Sequence, residues 1–501
     1  MFSITRMNFE VGQQNATFCH CSHCDQLCGG SLARSKPYRR KICVWIPYGG
    51  VHLLLDRAEK HYDAEIAKAF SNMGFPASVT FAMLSAASLA RRVAISTKCH
   101  ARRFSSASSL GCFPGTEMPL VPDVVFRDPK DNDPIPCFRI LNENGDVVEG
   151  AKDPQLSQDL CTQIYSQMIR LNTMDNIFYD AQRQGRISFY MTSYGEEAIS
   201  FGSASALRLG DMVFAQYREP GVLMWRGFSL QEFADQCFSN TDGHGKGRQM
   251  PVHYGSKNLN HQTISSPLAT QLPQAAGAAY AFKLAKEDRI SVCYFGEGAA
   301  SEGDFHAALN FASTKDCPIL FFVRNNGFAI STPTKEQFRG DGIASRGSGY
   351  GIPIMRVDGN DFLAVHEATR RAREYILKEN RPVLIEAMSY RQGHHSTSDD
   401  STQYRAVAEI KHWKETCDPI ERTKRYLLKR GWLTEEQDRH MQDNERTNVL
   451  AALQQAETKE PPALETMFED VYDVKLPHLL EQEREMLEHV SKYPDYYTTE
   501  H

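Results

Sequence analysis

The sequence predicts an α/β fold, with a mostly parallel central sheet flanked by helices and followed by C-terminal helices. The first observation is a strand, helix, strand pattern: 289–295 and 318–323 are apolar runs, and 301–314 between them carries apolar residues at helical spacing. The second observation is that polar residues end three further apolar segments: 211–219, 353–361 and 383–390. Short buried strands that alternate with helices are typical of a parallel sheet.

The turn after the first of these strands has the residues of a metal site. Gly296 and Gly298 let the backbone turn sharply and approach a ligand, with Glu297 between them, and Asn326 follows the next strand. Carboxylate and amide oxygens suit Mg²⁺, which takes further ligands from phosphates. With Arg324 as a planar donor, the pattern predicts a magnesium-bridged diphosphate. The alternative is a simple turn with a solvated acid, which the strand context disfavours.

Two more polar clusters follow strands of the predicted sheet. Gln216, Tyr217 and Arg218 end one strand, and His394 and His395 follow another. Ligands of open parallel sheets bind in the crevice outside the carboxyl ends of the strands, so we expect these clusters to meet there. The alternatives are a surface ion pair for Arg218 and a solvated loop for the two histidines.

The composition limits the classes of function. The 501 residues are 41% hydrophobic and 24% charged, enough for a substantial core, and the net charge of -6 gives no reason to expect nucleic acid. No apolar run is long enough to cross a bilayer, so we expect no membrane association. Four core cysteines are expected to be free thiols in a reducing compartment: Cys237, Cys293, Cys317 and Cys417.

A mitochondrial targeting signal is predicted inside the chain. From Met83 to Glu117 the sequence is rich in serine and alanine and has no acid before Glu117. Its basic residues are Arg91, Arg92, Lys98, Arg102 and Arg103. This composition is that of a transit peptide, which we place at 83–110, with the mature protein beginning near Ser105.

Translation is therefore expected to start at Met83, and 1–82 to be a non-native or disordered extension. The alternative is an additional module with a metal cluster formed by Cys19, Cys21, Cys24 and Cys28 together with His20 and His23. The remaining predicted divisions are an N-terminal arm and helix at 111–175, an α/β core at 176–415 and a C-terminal helical region at 416–501.

From Pro119 to about Tyr496 the chain resembles the alpha subunits of branched-chain 2-oxoacid dehydrogenases. The motifs that carry the resemblance are FYMTSYGEEA (189–198), QYREPGVLMWRG (216–227), GKGRQMPVHYG (245–255), TISSPLATQLPQAAGAAYA (263–281), GEGAASEGD (296–304), RNNGFAISTPT (324–334), RGDGIASRGSGYG (339–351) and GHHSTSDDS (393–401). Pyruvate dehydrogenase alpha subunits are the nearest alternative. In those relatives the motif that corresponds to 296–298 looks like Gly-Asp-Gly, and the histidine loop looks like Gly-His-Ser-Met-Ser-Asp-Pro, so both differ from this sequence.

The resemblance implies the thiamine diphosphate-binding fold and the activity of a 3-methyl-2-oxobutanoate dehydrogenase (2-methylpropanoyl-transferring). His395 would act as acid and base in acyl transfer to a lipoyl group. The implied cofactor contacts are Gln216, Tyr217, Arg218, Ser266, Leu268, Gly298, Ala299, Arg324 and His395. The implied magnesium ligands are Glu297, Asn326 and the carbonyl of Phe328, and the implied potassium ligands are Ser265, Pro267, Thr270 and Gln271. The alternative for 265–271 is a helix start capped by Ser265 or Ser266.

The resemblance also implies partners and regulation in the mitochondrial matrix. The chain would join a beta subunit in an α2β2 heterotetramer and act with a lipoyl-bearing transacylase core. A kinase and a phosphatase would control it at Ser396, in a loop expected to be mobile, and Ala406 stands where relatives commonly carry a second serine. The small residues of 270–285 predict a contact with another subunit, or packing inside the chain. A catalytically silent docking or regulatory subunit is the remaining alternative.

Overall fold

The computed structural model describes residues 110–497 and, before them, only the strands β1 (Ile42–Ile46) and β2 (Val51–Leu55). The chain divides into two compact units, Met1–Val125 and Phe126–His501. In the first unit β1 pairs antiparallel with β2, and β3 (Leu110–Phe113) pairs antiparallel with β4 (Thr116–Pro119). Apart from these strands, the predicted extension, the transit peptide, the start near Ser105 and the cysteine cluster lie outside the described residues.

The second unit contains a parallel sheet of six strands, which confirms the predicted α/β class. Its strands are β5 (Cys137–Phe138), β6 (Met212–Phe214), β7 (Ser291–Gly296), β8 (Ile319–Asn325), β11 (Ile354–Asp358) and β12 (Val383–Met388). They lie in the order β5-β11-β12-β8-β7-β6, and all five neighbouring pairs are parallel. The short strands β9 (Phe328–Ala329) and β10 (Thr332–Pro333) form a separate antiparallel pair.

Thirteen α-helices surround or follow the sheet in the described residues. They are α1 (Gln158–Arg183), α2 (Glu197–Ser205), α3 (Pro220–Trp225), α4 (Leu230–Cys237), α5 (Gln271–Ala285), α6 (Gly303–Thr314), α7 (Thr334–Gln337), α8 (Ala344–Gly349), α9 (Phe362–Glu379), α10 (Val407–Cys417), α11 (Pro419–Lys429), α12 (Glu435–Glu457) and α13 (Pro477–Lys492). Among the described residues, no helix is apolar over a length that would cross a bilayer.

The side chains of each central strand alternate between two apolar layers. On β8, Ile319, Phe321 and Val323 pack into the layer with α5 and α6, while Leu320 and Phe322 pack into the layer with α2 and α9. All five are fully buried, because a strand covered by helices on both faces has no polar side. The predicted free thiols Cys237, Cys293, Cys317 and Cys417 are confirmed as free.

Several predicted strands are shorter in the structure. We predicted one strand over 211–219, but β6 ends at Phe214. The chain turns after it, because Pro220 begins α3 and the Glu219 side chain bonds to the preceding backbone. The Gln216 amide donates to a Glu219 carboxylate oxygen at 2.9 Å, and this bond closes the turn. Likewise β12 ends at Met388, before the expected 390. Because these strands end earlier than predicted, the polar residues lie in loops and not in the hydrogen-bonded sheet.

The C-terminal helices pack against α1, the long helix before the sheet. Ser157 caps α1 by accepting from the Leu160 amide. Two residues of α1 bond to acidic residues of α12. Tyr165 donates to Asp438 at 2.7 Å, and Arg170 forms a two-point ion pair with Glu445. α12 therefore belongs to the unit that contains the sheet.

Candidate active site

A cavity of about 520 Å³ opens at the carboxyl ends of β6, β7, β8 and β12. Fourteen residues singled out from the sequence line it: Gln216, Tyr217, Arg218, Ser266, Leu268, Gly296, Glu297, Gly298, Ala299, Arg324, Asn326, Phe328, His395 and Ser396. They come from segments far apart in sequence, and the parallel sheet brings them to one edge.

Glu297 is a buried carboxylate with an unbonded oxygen. It is 1% exposed, and Oε1 has no hydrogen-bond partner among the described residues. Burial raises the pKa of this carboxyl, and the neighbouring Glu196 raises it further. A buried carboxylate oxygen without a donor is stabilised by a cation or a proton, so Oε1 can serve as a metal ligand.

Asn326 presents its amide oxygen on the neighbouring strand end. Its Nδ2 donates to Glu196 at 2.7 Å, which fixes the orientation of the amide. The opposite atom, Oδ1, accepts only a long bond of 3.3 Å from the Phe328 amide among the described residues. Glu297 and Asn326 together supply two hard oxygen atoms to the cavity, and this donor set fits magnesium.

Most of the Arg324 guanidinium bonds to acidic side chains and does not face the cavity as a free donor to phosphate. The side chain is 1% exposed, with Nη1 donating to Glu196 at 2.6 Å and Nε donating to Glu219. Burial lowers the pKa of the guanidinium, but Glu219 and Glu196 outweigh burial and raise it above its ordinary value. Only Nη2 forms none of these ion pairs, so the free edge of the guanidinium offers a ligand mainly the N–H donors of this one nitrogen. Loss of Arg324 would also leave two buried carboxylates unpaired.

Two other arginines at the cavity have no acidic partner. Arg218 is 2% exposed and donates to the carbonyls of Thr192 (2.5 Å) and His395 (2.6 Å). Arg391 is 1% exposed and donates to the Ile330 carbonyl and the Tyr404 hydroxyl, both at 2.7 Å. Among the salt bridges of residues 110–497, none involves either arginine. Burial, followed by Arg218, lowers the pKa of Arg391 to about 10. Two buried cations without a carboxylate make this wall suited to an anionic ligand.

His395 lies between these arginines. Its Nδ1 is 3.1 Å from Arg218 Nη2 and 3.5 Å from Arg391 Nη1, and because arginine only donates, Nδ1 accepts. The neutral imidazole therefore carries its proton on Nε2. Burial, then Arg218 and Arg391, lower the pKa of His395 to about 3. The ring meets Tyr217 edge to face at 6.1 Å. His395 is thus a neutral, oriented group that can donate or accept a proton.

The low pKa of His395 predicts a loss of stability in acid. The unfolded chain takes up this proton as pH falls through 6.5, whereas the folded state resists it until about 3, so folding becomes less favourable between these values. From pH 7.5 to 5.5 we expect His395 to remove about 1 kcal/mol of unfolding free energy. His395→Gln should lose less stability over this range, measured by denaturant unfolding. The two proteins should change in parallel between pH 7.5 and 8.5, and a parallel change below pH 6.5 would contradict the prediction.

The loop that carries His395 and Ser396 is closed by hydrogen bonds, and its mobility before a ligand or partner orders it stays a prediction. Arg405 donates to the carbonyls of Arg391 (2.5 Å) and Gly393 (2.7 Å), and Tyr404 donates to Asp399 at 2.6 Å. Ser396 is 8% exposed, and its hydroxyl oxygen accepts from the Ser398 amide at 3.2 Å. The loop must therefore open before an enzyme can reach this hydroxyl.

The four residues implied as potassium ligands lie next to the cavity but not in its lining. Thr270 Oγ1 donates to the Pro267 carbonyl at 3.2 Å, and Gln271 Nε2 donates to the Tyr294 carbonyl at 3.1 Å. The alternative reading, a helix capped by Ser265 or Ser266, is wrong. α5 begins at Gln271, its N-cap is Thr270, and no side chain caps it.

Several lining residues were not singled out from the sequence. They are Phe189, Met191, Met250, His253, Glu302, Ile330 and Arg391. The buried acids Glu196 and Glu219, which hold Arg324 and Asn326, were missed as well. Arg391 did have a usable signal, because it directly follows the predicted strand 383–390 and precedes the polar loop. The others have no local signal, since only packing brings them to the cavity.

The parallel sheet and its polar cavity define an α/β enzyme that binds its ligand outside the carboxyl ends of the strands. The family described as Dehydrogenase E1 component matches residues 165–465. The chain belongs to this family and, within it, to the 2-oxoisovalerate dehydrogenase alpha subunits.

Similar proteins come from distant organisms. The 2-oxoisovalerate dehydrogenase subunit alpha, mitochondrial, of Macaca fascicularis is 52% identical over 80% of this chain and 90% of its own length. The protein of the same name from Dictyostelium discoideum is 55% identical over 72% and 82%. The mitochondrial subunit alpha 2 of Arabidopsis thaliana is 50% identical over 77% and 82%.

Proposed function

We propose that this chain is the alpha subunit of a branched-chain 2-oxoacid dehydrogenase in the mitochondrial matrix. It would take part in the oxidative decarboxylation of the 2-oxo acids derived from leucine, isoleucine and valine, and in acyl transfer to a lipoyl group. The observation that carries the proposal is one cavity that contains the unbonded Oε1 of the buried Glu297 carboxylate and two buried arginines without acidic partners, Arg218 and Arg391. The names of the similar proteins support the same activity.

The donor set fits thiamine diphosphate held through a cation. Glu297, Asn326 and the Phe328 carbonyl would bind Mg²⁺, while Gln216, Arg218 and the free edge of Arg324 would bind the diphosphate. The chemistry supplied by bound thiamine diphosphate is nucleophilic attack on the 2-oxo carbon and stabilisation of the electron pair left by carbon dioxide. Potassium at Ser265, Pro267, Thr270 and Gln271 would stabilise the turn before α5.

The chain's own residues would position the reaction and move protons. Arg218 holds the His395 ring through Nδ1 and through the backbone carbonyl, so Nε2 keeps a fixed direction. From Nε2, His395 would donate a proton during acyl transfer and take it back afterwards. Apolar side chains of Phe189, Met191 and Met250 line the same cavity and would contact an aliphatic substrate.

Substrate preference tests this proposal. The alpha chain, coexpressed with its beta subunit and supplied with thiamine diphosphate and Mg²⁺, should decarboxylate 3-methyl-2-oxobutanoate with a kcat/KM at least about tenfold above that for pyruvate. The apolar lining favours the branched side chain because each buried methyl group adds binding energy. A preference for pyruvate would support the pyruvate dehydrogenase alternative, and no turnover of either acid would support a non-catalytic subunit.

The proposed α2β2 assembly leads to a prediction about α5. Ala275, Ala276 and Ala279 are buried against the sheet, but Gly277 is exposed, and a Cβ at Gly277 would meet no atom within 4 Å. Packing inside the chain therefore explains the small residues on only one face of α5. Gly277→Leu should lower the fraction of assembled tetramer in sedimentation without unfolding the chain, because its side chain would separate two closely packed backbones.

A matched control is Gly349→Leu, at the end of α8, where a Cβ also meets no atom within 4 Å. This variant should assemble normally. Equal assembly of both variants would argue against an interface at Gly277.

A further inference from the structure

We propose that His253 is a positioning residue that makes Ser266 a hydrogen-bond acceptor toward the bound ligand. Both residues line the cavity. The inference rests on the proposed function only for the identity of the ligand, thiamine diphosphate, whose pyrimidine carries an amino group.

The hydrogen bonds of His253 fix its tautomer. Nδ1 is 3.1 Å from the Pro251 carbonyl oxygen, which can only accept, so Nδ1 carries the proton. Nε2 of the neutral ring is then an acceptor, and it lies 2.7 Å from Ser266 Oγ. The serine hydroxyl must therefore donate to His253. With its proton used in this way, Ser266 Oγ can offer only lone pairs to the cavity.

The backbone on both sides of this pair is strained. Val252 has φ 66° and Ala269 has φ 65°, in the left-handed region that side chains with a Cβ rarely adopt. Both are buried, and Gln236 holds the first turn by accepting from the Val252 amide (3.1 Å) and donating to the Met250 carbonyl (2.8 Å). Such strain persists only where surrounding contacts impose it, and it is common at ligand sites.

The consequence is a rule about the ligand. A group that faces Ser266 Oγ must bring an N–H or O–H donor, because a second acceptor would meet lone pairs without a proton between them. The amino group of an aminopyrimidine satisfies this rule, and a carbonyl in its place does not. His253 would then set the chemical preference of the site, although its Nε2 atom bonds to Ser266 and not to the ligand.

The test compares two ligands by calorimetry on the alpha chain assembled with its beta subunit in the presence of Mg²⁺. One is thiamine diphosphate, and the other is oxythiamine diphosphate, in which a carbonyl oxygen replaces the pyrimidine amino group. In wild type the amino ligand should bind more tightly. His253→Leu frees the serine proton, so the preference should fall about tenfold, which corresponds to one hydrogen bond of about 1.4 kcal/mol.

Two further variants separate orientation from a general packing effect. His253→Gln places an amide oxygen near the position of Nε2, so it should restore the preference. Ser266→Ala should lose the preference by itself, and adding His253→Leu to it should change nothing more. If His253→Leu does not fold, as judged by its thermal transition, His253→Gln and Ser266→Ala still decide the question.

The outcomes distinguish this inference from the proposed function. An unchanged preference in His253→Leu or Ser266→Ala, with both ligands still bound, overturns the role of His253 alone. A further loss when His253→Leu is added to Ser266→Ala overturns it as well. If neither ligand binds the wild-type assembly, the proposed function fails and the inference fails with it.

Discussion

We expect Glu297→Ala to weaken magnesium-dependent binding of thiamine diphosphate roughly a hundredfold or more, with the fold intact. The variant removes the only buried carboxylate at the cavity that has an unbonded oxygen among the described residues. Since Oε1 has no hydrogen-bond partner among the described residues, its removal breaks no bond at that atom, and the cost of burying a carboxylate is relieved. Titration calorimetry with and without Mg²⁺ measures the effect, and thermal unfolding monitors the fold.

Two controls sharpen this test. Glu302→Ala removes a second carboxylate from the same cavity wall, and it should keep nearly full affinity because Glu302 is exposed. Glu297→Asp changes Gly-Glu-Gly to Gly-Asp-Gly and should retain binding, since the carboxylate is kept and only one methylene is lost. Wild-type affinity in Glu297→Ala would refute the assignment of the metal ligand.

The second large effect is expected from Ser396→Glu, which should reduce turnover of the assembled complex about a hundredfold. Ser396 is buried and lines the cavity beside His395. A carboxylate there would either occupy the space meant for an anionic ligand or push the loop open, and both displace His395. Phosphorylation adds a larger charge of the same sign, so we propose Ser396 as the target of a regulatory kinase. We expect a single-site switch, because Ala406 stands where relatives commonly carry a second serine.

Ser398→Glu is the matched control, because Ser398 is exposed two residues away in the same loop. It should keep most of the activity. Protease sensitivity of 391–405 reports whether the loop opens in Ser396→Glu. Full activity with a protected loop in that variant would remove the basis of the switch.

The loop shows why this site resists prediction from sequence. Its polar composition gives no indication that Arg405 and Tyr404 bond back to it and close it. Arg405 also lies over the Phe328 ring at 5.3 Å and over the Tyr390 ring at 5.3 Å. Neither contact can be read from neighbouring residues, because each joins segments that only the folded sheet brings together.

The sequence by itself determined the α/β class, the strand, helix, strand unit around Glu297 and the polar clusters that follow the strands. These follow from local patterns, since apolar periodicity sets strands and helices, and parallel strands expose their carboxyl ends at one edge. Only the tertiary structure decided which charges are paired. Arg324 is held by Glu196 and Glu219, whereas Arg218 and Arg391 have no carboxylate partner within 110–497, and the reason is distance in the folded chain. Pairing of buried charges depends on a few ångströms of three-dimensional separation, which no sequence spacing specifies.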